Sequence, residues 1–161
     1  EEEFDFILKN KSLINNSDYI IISMRYYDDP TERLKNFINK LKLKKSKIII
    51  VGARNEFYKP VNLALNLVLR GKNKLFNETK LFLNRKNHTD RYNDKLMNFS
   101  QDNKIKFLDT FKISCNANLK KCDFYDENYK LYYYDYGHWT KEGAKFFGKR
   151  FVRELKQLIS N

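Results

Sequence analysis

Tyr19-Ile20-Ile21-Ile22-Ser23-Met24 and, further on, Lys47-Ile48-Ile49-Ile50-Val51-Gly52 decide how this chain folds. Each is an unbroken β-branched run with no polar alternation, the pattern of a strand buried on both faces in a parallel sheet. Between them stands Asp29-Pro30-Thr31-Glu32. Asp29 is placed to cap a helix, Pro30 suits its first position, and Glu32 is spaced to close a capping box. Leu34, Phe37, Ile38 and Leu41 then recur at helical spacing, so an amphipathic helix is expected. Strand, helix and strand make a βαβ unit, and such a unit implies a parallel sheet in an α/β domain.

The rest of the chain extends this pattern. Phe4, Ile7, Leu8 and Ile14 are weakly helical in spacing. Residues 60–103 read as helix and loop: Leu63 and Leu67 share a face within Val61–Leu69, and Tyr92, Leu96 and Phe99 share another behind Asp90 as a cap. Ile105–Asp109 is a third short strand and Leu131–Tyr134 an extended segment. Lys141–Ile159 is the clearest helix, with Ala144, Phe147, Phe151, Leu155 and Leu158 on one stripe. No internal repeat or linker interrupts the 161 residues, so one domain over 1–161 is expected.

Composition narrows the possible functions. Hydrophobic residues make up 42% of the chain, enough for a packed core, which argues against disorder. No apolar run reaches the ~20 residues of a membrane helix, and Glu1-Glu2-Glu3 is unlike the basic start of a signal peptide. The net charge of +12 raises the question of nucleic acid. The lysines are scattered, however, with short clusters only at Lys40–Lys47 and Lys120–Lys121, so no nucleic-acid partner is expected. An anionic glycan or membrane surface fits the same charge.

The densest chemical signal is Asp135-Tyr136-Gly137-His138-Trp139-Thr140. An Asp three residues before a His can turn back and accept from the imidazole Nδ1–H, leaving Nε2 to take a proton from a hydroxyl. Gly137 admits a tight bend, and Thr140 can cap the helix that follows. A surface loop whose Asp and His only cap and hydrogen-bond has the same spacing. His88, in Asn87-His88-Thr89, reads as solvated. Tyr129, Tyr132, Tyr133, Tyr134 and Tyr136 suit sugar stacking and a half-buried strand alike. Asn-x-Ser/Thr sequons, among them those at Asn15, Asn77, Asn87 and Asn98, carry little weight in a chain so rich in asparagine.

Leu131-Tyr132-Tyr133-Tyr134-Asp135-Tyr136-Gly137-His138-Trp139-Thr140-Lys141-Glu142-Gly143-Ala144, preceded by Cys115 and Cys122, resembles the C-terminal part of SGNH domains. The likeness is to those fused to the membrane acyltransferase-3 proteins that O-acetylate surface glycans. That family shows a "YxDxxHLSxxGA" segment, and His138-Trp139-Thr140 replaces its His-Leu-Ser. Ile22-Ser23-Met24-Arg25-Tyr26 is similar to its "LSARW" strand end, and Val51-Gly52-Ala53-Arg54-Asn55-Glu56-Phe57 to its Gly-x-x-x-Glu-Phe segment. The likeness covers residues 15–155.

The resemblance implies a three-layer α/β sandwich with a parallel, flavodoxin-like sheet. It implies O-acetylation of a cell-surface carbohydrate through a serine acyl-enzyme, with Asp135 orienting His138 as general base and then acid, and with no cofactor. The acyl donor would be a membrane acyltransferase-3 domain, in the same polypeptide and on the extracytoplasmic side. The family's nucleophile lies in a Gly-Asp-Ser motif that occurs nowhere in this chain. The expectation is that this serine and the first strand precede Glu1, making residues 1–161 an N-terminally incomplete SGNH domain. Loss of the nucleophile is the competing reading. None of Ser12, Ser17, Ser23, Ser46, Ser100, Ser114 and Ser160 has a nucleophile's strand–turn–helix context. A carbohydrate esterase and a non-catalytic glycan-binding module are the alternative functions.

Arg25 and Asn55 both follow predicted strand ends, where α/β sheets place ligands. Either can serve as an oxyanion or substrate-binding donor, although Arg25 can equally pair with Asp28 or Asp29. Asn55 follows a different strand from the one that carries the family's asparagine, and Glu56 reads as a loop carboxylate. Cys115 and Cys122 bracket a polar loop with too few further ligands for zinc. A disulfide, implying an oxidising compartment, and a pair of reduced thiols remain the two readings, the disulfide being expected.

Overall fold

Three short parallel strands carry the first half of the architecture. In the computed structural model, which describes residues 9, 11–24, 26, 29–42, 44–71 and 73–160, the elements run in the following order. Helix α1 is Lys11–Asn16, β1 is Ile20–Ile22, α2 is Pro30–Leu41 and β2 is Ile48–Val51. Next come α3 (Pro60–Leu69), α4 (Lys74–Leu83), α5 (Asn87–Asn103) and β3 (Lys106–Leu108). The remainder is α6 (Phe111–Ser114), β4 (Cys115–Asn116), β5 (Lys121–Cys122) and α7 (Lys141–Ser160). The described residues are thus mixed α/β with a parallel sheet. They fall into two compact units, Glu1–Gly52 with Tyr92–Leu108, and Ala53–Arg91 with Asp109–Asn161.

The first unit holds the sheet, in the order β1-β2-β3. Ile20, Ile21 and Ile22 pair in parallel with Ile48, Ile49 and Ile50, and Ile49, Ile50 and Val51 with Lys106, Phe107 and Leu108. The amide of Gly52 continues the ladder to the Leu108 carbonyl. As read from sequence, β2 is buried throughout. The expectation for β1 needs correction: Ile22 is buried, but Ile21 is 47% exposed. An isoleucine run reports β propensity but carries no alternation to tell a strand covered on one face from one covered on both.

Helix α2 begins as its sequence requires. The Asp29 side chain accepts from the Thr31 amide at 3.0 Å, Pro30 is the first helical residue, and Leu34 and Ile38 are buried. Lys95 reaches the other Asp29 oxygen at 2.9 Å. The helix expected behind Asp90 starts earlier, at Asn87, and Asp90 lies in its first turn. Of the early helical pattern, Phe4, Ile7 and Leu8 lie outside the described residues.

The second unit is built on an aromatic core. Phe57, Leu81, Ile113, Phe124, Tyr125, Tyr132, Tyr133 and Phe147 are buried together. Tyr132 stacks on Phe146 at 4.5 Å, and Phe57 meets Tyr133 edge-on at 5.0 Å. Cys115 and Cys122 face each other across the β4–β5 pair and form a disulfide. Leu131–Tyr134, expected to be extended, makes only isolated bridges, Tyr125 to Leu131 and Tyr133 to Trp139. Among the described residues no helix is long and apolar enough to cross a membrane.

Candidate functional site

The second unit folds Tyr132–Thr140 into a tight hairpin. The Tyr134 amide donates to the His138 carbonyl at 3.1 Å and the Thr140 amide to the Tyr132 carbonyl at 3.0 Å, leaving Asp135, Tyr136 and Gly137 as the bend. Asp135 organises this bend from inside. Its Oδ1 accepts from the backbone amides of Gly137 at 3.0 Å and His138 at 2.8 Å. Its Oδ2 lies 2.6 Å from His138 Nδ1. Partial burial alone would raise the Asp135 carboxyl, but the two backbone amides and the imidazole outweigh it and lower it to about 2. Asp135 is therefore ionised at neutral pH.

The hairpin is secured at both ends. Thr140 Oγ1 accepts from the Gly143 amide at 3.0 Å and donates to the Leu131 carbonyl at 2.6 Å, capping α7 while tying it to the hairpin. Gly143 is a packing requirement here: a Cβ at that position would lie 2.1 Å from the Tyr132 carbonyl oxygen. On the other side the Phe57 amide donates to the Tyr136 carbonyl at 2.7 Å, bringing Arg54–Phe57 against the bend.

That approach introduces a residue the sequence reading passed over. Arg54 Nη2 lies 2.9 Å from His138 Nε2. A guanidinium has donors and no acceptor, so Arg54 donates and Nε2 accepts. With Nε2 supplying its lone pair, the ring proton is on Nδ1 and points at Asp135. The tautomer inferred from the Asp–His spacing is thus fixed from both sides. Tyr134, 60% exposed, stacks on the His138 ring at 5.6 Å, and Tyr136 meets it edge-on at 5.4 Å. Tyr132 and Tyr133 belong to the core instead. The one sequence signal for Arg54 was its place just after β2, the same strand end that singled out Asn55, and its contact with the distant His138 is not legible locally.

The other candidates are placed as follows. Asn55 is 3% exposed, and its Nδ2 donates to Ser114 Oγ at 2.9 Å and contacts the Phe111 carbonyl and Cys115 Sγ, each at 3.4 Å. Its amide hydrogens thus hold the stretch that carries the disulfide, and its buried Oδ1 has no hydrogen-bond partner among the described residues. Asn55, expected as an oxyanion or substrate-binding donor, has its amide engaged with Ser114 and Cys115 in the interior. Arg25 lies outside the described residues. His88 is not simply solvated: its Nε2 is 3.4 Å from Glu56 Oε2, which Lys86 Nζ also approaches at 3.1 Å. The sequon asparagine Asn77 is fully buried, its Nδ2 bonded to the Tyr125 hydroxyl at 2.6 Å, so it is closed to glycosylation.

A family model for the SGNH domain fused to AT3 domains matches residues 3–153. This chain belongs to that family, and the match runs through both compact units. No curated protein and no solved structure matches it. Membership makes the chain a hydrolase-like or acyltransferase module of the kind joined to AT3 domains.

Proposed function

We propose that this SGNH domain is an O-acyltransferase that acetylates a hydroxyl of a cell-surface carbohydrate through a serine acyl-enzyme, as one domain over residues 1–161. The observation that carries this reading is the 2.6 Å contact between Asp135 Oδ2 and His138 Nδ1, which leaves Nε2 as the acceptor. In the acylation half-reaction, the serine O–H passes its proton to Nε2 as the serine oxygen bonds to the acyl carbon. The imidazolium then protonates the leaving group. Deacylation repeats the sequence with the carbohydrate hydroxyl as nucleophile, and the proton returns to the serine. Asp135 stays ionised and stabilises the imidazolium.

The serine is the one in the family's Gly-Asp-Ser motif, which is not among residues 1–161. The acyl donor is a membrane AT3 domain in the same polypeptide, a reading supported by the family's fusion to such domains. The Cys115–Cys122 disulfide supports an extracytoplasmic location. The exposed Tyr134 face beside His138 suits a sugar acceptor.

The test is acetyl transfer by the intact, nucleophile-containing protein. His138→Ala is expected to abolish transfer while the melting temperature stays close to native. Transfer surviving that change would remove His138 as the base. Acetate release without any carbohydrate acceptor, in the native protein, would assign it instead as an esterase.

A further inference from the structure

We propose that Arg54 is a displaceable cap on the acid–base nitrogen of His138. In the structure of residues 1–161 its guanidinium occupies the Nε2 lone pair, and the hydroxyl to be activated must take its place. This inference rests on the reading of His138 as the base. Neutral imidazole has a single acceptor lone pair. At 2.9 Å the Arg54 Nη2–H fills it, so no second donor can use it at the same time.

Arg54 takes this role because the neighbouring carboxylates are committed elsewhere. Glu56 Oε2 is approached by Lys86 at 3.1 Å and His88 at 3.4 Å. Asp135 already accepts from two backbone amides and the imidazole. Among the described residues no ion pair involves Arg54, so its charge is spent on a neutral ring. Gly137 lets the bend lie close to this segment: a Cβ there would press on the Asn55 carbonyl oxygen at 3.3 Å, while Arg54 Nε would stay at an ordinary contact distance of 3.5 Å. The consequence is functional. A capped Nε2 cannot deprotonate a stray water, so the base is withheld until a positioned hydroxyl displaces the guanidinium. Arg54 is a positioning residue in this account, acting through His138.

Diethyl pyrocarbonate tests the cap without depending on acyl transfer, since it carbethoxylates an unprotonated imidazole nitrogen whose lone pair is free. Its rate at His138 would be read by peptide mapping of the intact protein at neutral pH, with His88 as internal reference. Losing one charge-assisted hydrogen bond is expected to speed modification of His138 by about tenfold in Arg54→Ala, with the His88 rate unchanged. An unchanged His138 rate in that variant overturns the proposal. Should Arg54→Ala fail to fold, Arg54→Lys against Arg54→Gln decides. The lysine, which keeps a charged donor, is expected to protect His138 better than the glutamine, and equal rates overturn the cap. His138→Ala retaining acetyl transfer would refute the base while leaving this readout standing, so the two failures can be told apart.

Discussion

At the scale of single residues the site is organised by the Asp135 carboxylate, which gathers two backbone amides and one imidazole. Its carboxyl is lowered to about 2 from the ordinary 3.8. A group depressed on folding contributes stability that is fully present above its unfolded value and lost as pH falls through its folded one. The melting temperature gap between native protein and Asp135→Asn is therefore expected to be full at pH 7 and to close as pH falls from about 4 to about 2. A gap that persists at pH 2 would mean the carboxylate is not what the amides hold. Asp135 and His138 were legible in the sequence because an i, i+3 pair around a glycine meets within one bend. Arg54 was not, since its contact depends on how two distant segments pack. The burial of Asn55 was not legible for a related reason: an amide at a strand end reads the same whether it faces a ligand or the interior.

At the scale of elements, a helix start holds the Asp135–His138 bend. Thr140 caps α7 and bonds back to Leu131, while Gly143 lets the first turn lie directly on the Tyr132 backbone. Gly143→Ala would force a methyl group against a carbonyl oxygen, which has no flexible side chain to yield. It is expected to destabilise the protein by about 3 kcal/mol, the upper part of the usual range for overpacking. Denaturant unfolding checks this, and a loss below about 1 kcal/mol would show that α7 does not lean on the hairpin. Thr140 as a cap and the α7 stripe were readable because capping and 3.6-residue spacing are local signals. The exposure of Ile21 and the short β4–β5 pair were not, because they depend on which neighbours cover or join a segment.

At the scale of the whole molecule, the parallel sheet and α/β class followed from two isoleucine runs and the capped helix between them. The family match across residues 3–153 agrees with motifs spread over most of that span. The disulfide ties the β4–β5 pair, and the Asn55 amide lies against it. Closing so short a loop is worth about 2–3 kcal/mol by the chain-entropy account. Reduction is expected to lower the melting temperature, whereas an identical melt with and without reductant would remove the disulfide's structural role. Most directly at stake is whether Asp135 acts through His138. Acetyl transfer by the intact protein should be measured in a double-mutant cycle of Asp135→Asn and His138→Ala. Asp135→Asn alone is expected to cost about 10³–10⁴-fold, and to cost nothing further once His138 is alanine. Losses that multiply in the double variant would contradict the account, because the carboxylate would then be working independently of the imidazole.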